Sequence, residues 1–395
     1  MIALDVLASV ILAAPVLACA AYLFVLALAA WPARRGGRAR DLRFDIVVPA
    51  HDEEIGIAAT IESLRALDYP AGYFRILVVA DNCTDGTAEV ARAAGVIVLE
   101  RHDPERRGKG YALAHAFAAV ERDGIADAIV VIDADTEVSP NLLRAFADRI
   151  ATGASAVQAR YGVRNAEASW RTRLMVVALA LFNDLRSLGR DRLGLSTGLR
   201  GNGMAFTRDL IRRVPPAAFS IVEDLEYGIA LGEAGHRVHY AHEAQVLGDM
   251  AAGPRAAATQ RRRWEQGRAA LARALGPRLL MRGIARRDPV VTDLAIDLLV
   301  PPLSAITIAA TAGFMAALTW HLAAGGSGAI LYPWLGAMAL LAVYVLRGVQ
   351  ISDAGYHGLL ALLWAPVYVI WKLGLRLRRR DRDGQWIRTA REVER

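Results

Sequence analysis

Residues 128–135 read AIVVIDAD, an apolar run that ends in two aspartates one residue apart. Its β-branched residues and short length predict a strand over Ala128 to Ile132 that is buried on both faces. Three similar runs precede it, at Phe44 to Val48, Ile76 to Val79 and Val96 to Leu99. Predicted helices lie between the strands, near Ile55 to Leu67, Thr87 to Ala94 and Tyr111 to Arg122. This alternation predicts an α/β fold with a mainly parallel sheet that helices cover on both faces.

Polar clusters follow three of the predicted strands directly. They are His51-Asp52-Glu53-Glu54, Asp81-Asn82 and Asp133-Ala134-Asp135. In open parallel sheets, ligands bind beyond the carboxyl ends of the strands. The sequence therefore predicts one site at that edge of the sheet, formed by all three clusters.

The chain of 395 residues is too apolar for a purely soluble protein, with 54% hydrophobic residues and a mean hydropathy of +0.28. Val6 to Trp31 carries no charge and is long enough to cross a bilayer, so we predict a retained anchor rather than a cleaved signal sequence. A second span is predicted within Ile296 to Trp320, either alone or behind an interfacial helix that ends at Pro301-Pro302. Ala329 to Leu346 is predicted as a third span. For Leu359 to Leu375 we favour a re-entrant or interfacial segment over a crossing.

The formal net charge of +7 arises mainly from arginines beside the apolar segments, at residues 34–43, 282–287 and 376–380. Basic flanks mark the cytoplasmic side of a membrane and can bind anionic head groups. We therefore expect the N-terminus outside, the central domain inside and membrane lipids as partners. A nucleic-acid partner is not expected, because no basic stripe with interleaved aromatic residues is present. Cys19 and Cys83 fall in different segments, so a disulfide between them is not expected.

These patterns divide the chain into four segments of a multi-pass protein of a bacterial-type inner membrane. The segments are an N-terminal transmembrane anchor at 1–33, a cytoplasmic α/β domain at 41–285, interfacial and transmembrane helices at 288–376, and a basic tail at 377–395.

The acidic and basic motifs of the central domain fit the binding of a phosphate-containing ligand. Asp133 and Asp135, at a strand exit, can hold a divalent cation that binds phosphate oxygens, or can form a solvated turn in which Asp135 caps a helix. Asp81 can accept hydrogen bonds from a nucleobase or ribose, or can belong to a turn that caps the helix starting at Thr87. Lys109 lies in the basic loop 106–110 before a predicted helix, which is typical of a phosphate-binding loop and also of a solvated one.

Two later motifs carry further chemistry. Glu223 and Asp224 start a predicted helix, where the pair can supply a general base or can act as a helix cap. Residues 260–264 read QRRRW, and helical spacing places Gln260, Arg263 and Trp264 on one face. That arginine can bind a diphosphate and that tryptophan can stack on a sugar or an acceptor. The alternative is an amphipathic helix that lies on anionic lipid with Trp264 at the interface.

In this order, the motifs resemble membrane-bound glycosyltransferase family 2, the D, D, D, QxxRW group that includes cellulose, chitin and hyaluronan synthases and ceramide glucosyltransferases. The likeness runs from about Asp45 to Arg268 and also includes Arg107-Gly108-Lys109 and Gly201-Asn202-Gly203. It implies a GT-A fold between N- and C-terminal transmembrane helices. It also implies a UDP-sugar donor, Mg2+ or Mn2+ as cofactor, and inversion at the anomeric carbon.

The resemblance implies a role for each motif residue. Asp224 would be the catalytic base, and Asp133 and Asp135 would bind the metal. The donor would be bound by Ala50, Glu53, Asp81, Lys109, Asp133, Gln260 and Arg263. The acceptor would contact Gly203, Glu223 and Trp264.

The predicted function is transfer of a sugar from a UDP-sugar to a lipid-linked or saccharide acceptor at the cytoplasmic face, in polysaccharide or glycolipid synthesis. A processive polysaccharide synthase is the alternative within this class, and the small number of predicted spans favours transfer of one or a few sugars. A catalytically decayed nucleotide-binding subunit of a membrane assembly is the alternative from another class, but every expected acidic residue is present. A transporter is disfavoured because the predicted spans lack charged pathway residues.

Overall fold

The computed structural model describes residues 2–32, 41–217, 220, 222–251, 253–325 and 327–364, except for the side chains of residues 254–263 and 356. The strands are β1 (Phe44–Ala50), β2 (Phe74–Asp81), β3 (Ile97–Arg101), β4 (Ala128–Val131), β5 (Thr136–Val138), β6 (Ala156–Val163), β7 (Met204–Thr207) and β8 (Val238–Gly248). The helices are α1 (Ile2–Ala29), α2 (Ile57–Arg65), α3 (Thr87–Ala93), α4 (Lys109–Asp123), α5 (Leu142–Ala151), α6 (Trp170–Leu179), α7 (Arg186–Arg192), α8 (Arg208–Arg213), α9 (Glu223–Glu233), α10 (Pro254–Arg286), α11 (Pro289–Leu299), α12 (Leu303–Ala324), α13 (Tyr332–Ile351) and α14 (Gly355–Leu362). A π-helical segment, Ala180–Leu185, joins α6 to α7. The predicted basic tail and most of the segment from Leu359 to Leu375 lie outside the described residues.

The eight strands pair in one sheet with the order β3-β2-β1-β4-β7-β6-β8-β5. Strands β1 to β4 are parallel to one another, as predicted from their apolar runs. Beyond β4 the sheet is mixed, because β7 pairs antiparallel with both β4 and β6. The parallel half therefore brings the ends of β1, β2 and β4 to one edge.

Helices cover both faces of the sheet. Successive residues of a strand point to opposite faces, and β1 is buried on each side. Ile46 and Val48 share a core cluster with residues of α2 and α5, whereas Val47 shares one with residues of α4 and α9. This two-sided burial explains why the strands read as continuous apolar runs.

Three helices among the described residues are long and apolar enough to cross a membrane, at Ala3–Ala29, Leu303–Ala324 and Gly328–Ile351. They overlap the three spans predicted from hydropathy. In the first half of α1, Ser9 donates a hydrogen bond to the carbonyl oxygen of Ile330, 2.6 Å away. The start of α1 therefore lies beside the turn between α12 and α13.

The helix expected just before Pro301-Pro302 is α11, and its position at a membrane interface stays a prediction. Its apolar residues Val291, Leu294 and Leu298 are buried in a cluster with residues of α9 and α10. Helices α9 and α10 therefore cover the apolar side of α11. In the chain, α11 connects the α/β domain to the helices that follow.

Candidate active site

Asp81 ends β2, and its carboxylate is buried and already bonded. The Nη1 atom of Arg101 donates to Asp81 Oδ1 at 2.6 Å. The two residues face each other in the register of β2 and β3. Sequence reasoning did not single out Arg101, although a basic residue at the end of the neighbouring strand was a usable signal. The nucleotide contact predicted for Asp81 stays a prediction.

The turn after β1 packs on the start of α3. Ala50 is buried, with its carbonyl oxygen 3.6 Å from Cys83 Sγ. The backbone N–H of Glu53 donates to Thr87 Oγ1 at 2.8 Å. Asp85 Oδ1 accepts from the N–H of Thr87 at 3.0 Å, which is the capping role expected there. The structure thus places Ala50 and Glu53 close to the polar turn that follows β2.

Asp52, Cys83 and Asp85 form a group of potential metal ligands, with ligand atoms within 4.8 Å of one another. Their carboxylates already serve the two turns. The N–H of Thr84 donates to Asp52 Oδ1 at 2.7 Å, and the N–H of Glu54 donates to Asp85 Oδ2 at 3.1 Å. A thiol mixed with bonded carboxylates is a poor match for Mg2+ or Mn2+, which prefer oxygen ligands.

The Asp133-Ala134-Asp135 turn follows β4 and is held on both sides. The N–H of Asp133 donates to Asn202 Oδ1 at 3.1 Å. Thr60 Oγ1 donates to the carbonyl oxygen of Ala134 at 2.8 Å and accepts from the N–H of Thr136 at 3.1 Å. These bonds fix the backbone of the turn and leave the side chains of Asp133 and Asp135 half-buried at the sheet edge.

The residues of this turn fit a divalent cation. Both side chains offer carboxylate oxygens, the hard ligands that Mg2+ and Mn2+ take. Asp133 already attracts one cation, because the Nζ atom of Lys109 donates to its Oδ1. The donor set fits Mg2+ or Mn2+, although the Lys109 ammonium already neutralises part of the Asp133 charge. Metal binding by Asp133 and Asp135 stays a prediction.

Lys109 connects three parts of the site. It starts α4, and its Nζ atom donates to the Asp133 carboxylate and to the carbonyl oxygen of Gly201. Burial lowers the pKa of Lys109, but the nearby carboxylates of Asp133 and Glu223 outweigh it and leave the pKa raised. Lys109 therefore carries its charge at the centre of the acidic residues.

The loop at 198–203 lies between Lys109 and α9. Gly201 has a φ of +80°, and a Cβ there would be 3.4 Å from Asp224 Oδ2. Gly203 has a φ of +68°, and its Cβ would be 2.8 Å from Val246 Cγ2. Only glycine fits these positions, because positive φ values strain other residues. Gly203 is buried, and its predicted contact with the acceptor stays a prediction.

Gln158 holds this loop through side-chain hydrogen bonds. We did not single out this residue from the sequence. Its Nε2 atom donates to the carbonyl oxygen of Asn202 at 2.7 Å, and its Oε1 accepts from the N–H of Arg200 at 2.9 Å. Gln158 is fully buried in β6. A lone amide within an apolar strand was the available signal, since buried polar side chains need partners.

Glu223 and Asp224 are the first two residues of α9. Asp224 Oδ1 accepts from the N–H of Leu225 at 2.8 Å, which is a capping contact. Burial raises the pKa of Asp224. Burial raises the pKa of Glu223 to about 7; Lys109 opposes the shift and the charge of Asp224 adds to it. A carboxylate whose pKa lies near neutrality suits proton transfer at physiological pH.

Helix α10 passes beside this pair. A Cβ at Gly267 would be 2.6 Å from Val222 Cγ1, so the α10 backbone lies against the residue that precedes Glu223. Trp264, one helical turn earlier, is half-buried. Gln260 and Arg263 lie in the part of α10 whose side chains are not described, so their predicted donor contacts fall outside the described side chains.

A family model described as glycosyltransferase-like family 2 matches residues 42–267, which is more than half of the chain. The chain belongs to this family. The resemblance read from the acidic and QRRRW motifs is thereby confirmed.

Three curated relatives are similar over part of their length. The low-salt glycan biosynthesis hexosyltransferase Agl6 of Haloferax volcanii is 40% identical over 98 residues, which cover 25% of this chain and 23% of that protein. The probable glycosyltransferase YdaM of Bacillus subtilis is 26% identical over 211 residues, with 50% and 48% covered. The β-monoglucosyldiacylglycerol synthase of Nostoc sp. is 31% identical over 177 residues, with 42% and 36% covered. The matches thus span less than half the length of each relative.

One solved structure shares most of the architecture. The mannosyltransferase PcManGT from Pyrobaculum calidifontis, in complex with GDP-Man and Mn2+, superposes with a TM-score of 0.57 at 18% identity. The match covers 88% of this chain and 97% of that one. The fold is GT-A, as the sequence motifs predicted.

Proposed function

We propose that this protein transfers a sugar from a UDP-sugar to a lipid-linked or saccharide acceptor, with inversion at the anomeric carbon. One observation carries the proposal: Lys109 bonds both Asp133 and Gly201, while Gly201 lies against Asp224. Asp133, which we assign to the metal, and Asp224, the candidate base, therefore lie around the same loop, residues 198–203.

The residues have complementary roles in this reaction. Asp224 takes the proton of the acceptor hydroxyl as its oxygen bonds to the anomeric carbon. The bond from that carbon to the donor phosphate breaks, and UDP leaves from the opposite side. A bound Mg2+ or Mn2+ at Asp133 and Asp135 would neutralise the charge that develops on the leaving diphosphate. A single displacement of this kind inverts the configuration at the carbon.

The residues that we assign to the donor and to the acceptor are taken from the sequence motifs. We assign Asp81, Ala50 and Glu53 to the nucleoside, and Lys109 and Arg263 to the diphosphate. Gln260 completes the donor side, and Glu223, Gly203 and Trp264 border the acceptor. The choice of uridine rests on the family resemblance, and a guanosine donor is the alternative because PcManGT was solved with GDP-Man.

A lipid acceptor is favoured over a growing polymer. The name of the Nostoc relative denotes the synthesis of a glycolipid. The described part of the chain contains three candidate spans, which is few for a channel that exports its own polymer. We place the protein in a bacterial-type inner membrane with its catalytic domain in the cytoplasm, because basic residues flank the spans on that side.

Nucleotide release tests the proposal directly. Full-length protein in lipid nanodiscs, supplied with membrane lipid extract, is incubated with UDP-glucose, UDP-galactose, UDP-N-acetylglucosamine and GDP-mannose, each with Mg2+ or Mn2+. We expect release with one donor, and its loss in Asp135→Asn. Absence of both nucleotide release and metal-dependent nucleotide binding would overturn the proposal and favour a decayed subunit.

A further inference from the structure

A buried group of charged residues lies where the α/β domain meets the helices around it. Asp297 of α11 forms ion pairs with Arg186 at 3.1 Å, with Arg190 at 3.5 Å and with Arg268 at 3.4 Å. Arg190 also pairs with Asp293 at 2.6 Å. We call this group the arginine cluster; its members are Arg186, Arg190, Arg200, Arg268, Asp293 and Asp297.

The arginine cluster holds more positive than negative charge. Its four arginines face two aspartates, which leaves an excess of two positive charges. Arg200 forms no ion pair with a carboxylate among the side chains that the structure describes. Two buried guanidinium nitrogens, Nη2 of Arg190 and Nε of Arg200, have no hydrogen-bond partner within the same set. Buried donors of this kind are costly unless something accepts from them.

Three of the arginines gather on one aromatic ring. The guanidinium carbons of Arg186 and Arg200 are each 4.9 Å from the ring centre of Phe182, and that of Arg268 is 5.3 Å away. Phe182 belongs to the π-helical segment, a backbone irregularity that occurs frequently at functional sites. Phe182, Arg200 and Arg268 are half-buried, so this side of the cluster is accessible.

The cluster also lies between the candidate active site and the candidate spans. Arg200 directly precedes Gly201, and its charge acts on Asp224. On the other side, Tyr22 of α1 donates to Asp293 Oδ1 at 2.9 Å, and Arg186 donates to the hydroxyl of Tyr344 in α13 at 3.2 Å. The arginine cluster therefore contacts the candidate active site on one side and the candidate spans α1 and α13 on the other.

We propose that Arg200 and Arg268 bind a phosphate group of the acceptor, so that the acceptor is a phosphate-bearing lipid presented from the bilayer. This inference rests on the proposed function, whose acceptor class it narrows. A phosphate monoester carries between one and two negative charges at neutral pH, which matches the excess charge of the cluster. Guanidinium groups bind phosphate oxygens through paired N–H donors.

The charge of Arg200 supports a ligand-binding role over a structural one. Burial lowers its pKa to about 10; Asp297 opposes the shift, and the neighbouring arginines add to it. Arg200 therefore keeps its charge at neutral pH, but burial makes that charge less stable than that of a solvated arginine. We expect Arg200→Gln to have a Tm equal to or above that of the wild type, whereas loss of a structural cation would lower Tm.

Binding of lipid probes tests the inference separately from catalysis. Full-length protein in neutral detergent micelles is titrated with farnesyl phosphate and with farnesol, and then with phosphatidylglycerol and with diacylglycerol. Inorganic phosphate and UDP serve as competitors. We expect tighter binding of the phosphate-bearing member of at least one pair, with weak competition by either soluble anion.

The variants identify which residues bind the phosphate. We expect Arg200→Gln and Arg268→Gln each to weaken binding of the phosphate-bearing lipid roughly tenfold or more, as for a lost hydrogen bond between charged groups. Arg200→Lys should restore part of the affinity. The control Arg212→Gln removes an exposed arginine that pairs with Glu121, and it should bind as the wild type does.

Three results would overturn the inference: equal binding of phosphate-bearing and neutral lipids, full binding by both glutamine variants, or a loss of UDP affinity in those variants. The last result would assign the arginine cluster to the donor. Each of these outcomes leaves the proposed transfer reaction standing if wild-type protein binds and uses a sugar nucleotide. Conversely, lipid-phosphate binding without any use of a sugar nucleotide would contradict the proposed function alone.

Discussion

Glu223 and Asp224 share a buried position beside Lys109. Burial raises the pKa of each carboxyl group, and Lys109 opposes the shift at both. The assignment of Asp224 as the base, with Glu223 as a neighbour that contacts the acceptor, therefore rests on the family motif.

The pKa of Glu223 predicts a pH-dependent stability. A carboxyl group that titrates at about 7 when folded and at 4.5 in its ordinary state stabilises the fold below pH 4.5, and this contribution is lost as the pH rises through about 7. Glu223→Gln keeps a neutral side chain at every pH. We expect its Tm to exceed that of the wild type by a margin that grows from about pH 4.5 to about pH 7 and is constant above that pH.

Thermal unfolding in detergent at several pH values from about 4.5 to above 7 measures the margin. Glu226→Gln, in the next turn of α9, controls for loss of a carboxylate from the same helix. A Tm difference between Glu223→Gln and the wild type that does not change with pH would contradict the assignment.

At the residue level, the polar residues at the strand exits could be predicted from the sequence, but the residues that hold them in place could not. Asp81 and Asp133 stand directly after apolar runs, and the geometry of a parallel sheet brings such positions together. Gln158 and Arg101 contact site residues that are distant in sequence, and only the fold brings these residues together. A basic residue at a strand end and a lone amide in a strand were signals in the sequence, but only the packing shows which groups Arg101 and Gln158 bind.

At the level of elements, the close packing of α1 on α7 joins a candidate membrane span to the α/β domain. Gly189 of α7 lies against the backbone of Leu26. A Cβ at Gly189 would be 2.5 Å from the Leu26 carbonyl oxygen and 3.0 Å from its Cα. The atoms it would meet are backbone atoms, which cannot rotate away.

Gly189→Ala is therefore expected to destabilise the protein. Alanine favours a helix over glycine by about 1 kcal/mol, but overpacking costs about 1–3 kcal/mol, and here it acts on backbone. We expect a lower Tm in detergent. Gly72→Ala is the control, because a Cβ at Gly72 meets nothing within 4 Å. A Tm for Gly189→Ala at or above that of the wild type would show that the two helices can separate freely.

The regular elements followed from periodicity, whereas two irregular features did not. The strands of the parallel half read as continuous apolar runs, and the helices between them have a helical pattern. The π-helical segment from Ala180 to Leu185 has no such signature in the sequence. The packing of α11 against α9 and α10 also could not be read from its apolar sequence.

At the level of the whole molecule, the start of α1 and the turn that connects α12 to α13 form the end of the candidate spans that is farther from the α/β domain. The start of α1 and the turn between α12 and α13 lie together, as the bond from Ser9 to Ile330 shows. In the sequence, the basic segments flank the opposite ends of the spans, which predicts that the α/β domain is cytoplasmic.

Cysteine labelling in intact cells tests this orientation. In a background with Cys19→Ser and Cys83→Ser, a membrane-impermeant maleimide should label Ala324→Cys, at the end of α12. It should not label Gly72→Cys, in the α/β domain, until the cells are permeabilised. Labelling of Gly72→Cys in intact cells would reverse the predicted orientation.

Hydropathy was sufficient to find the candidate spans, but it could not show which contacts join these spans to the α/β domain. The arginine cluster pairs residues that are far apart in sequence, such as Arg186 with Asp297 and with Tyr344. In the sequence these charges look like scattered surface residues. Their shared burial depends on how α1, α7, α11 and α13 pack together.

Product formation by Asp224→Asn shows whether Asp224 activates the acceptor for sugar transfer. Full-length protein with a radiolabelled sugar nucleotide, metal and membrane lipid is assayed for label that enters the organic phase. We expect a labelled lipid from the wild type and a loss of about a hundredfold or more in Asp224→Asn, with nucleotide affinity unchanged. Transfer by Asp224→Asn at the wild-type rate would rule out Asp224 as the base.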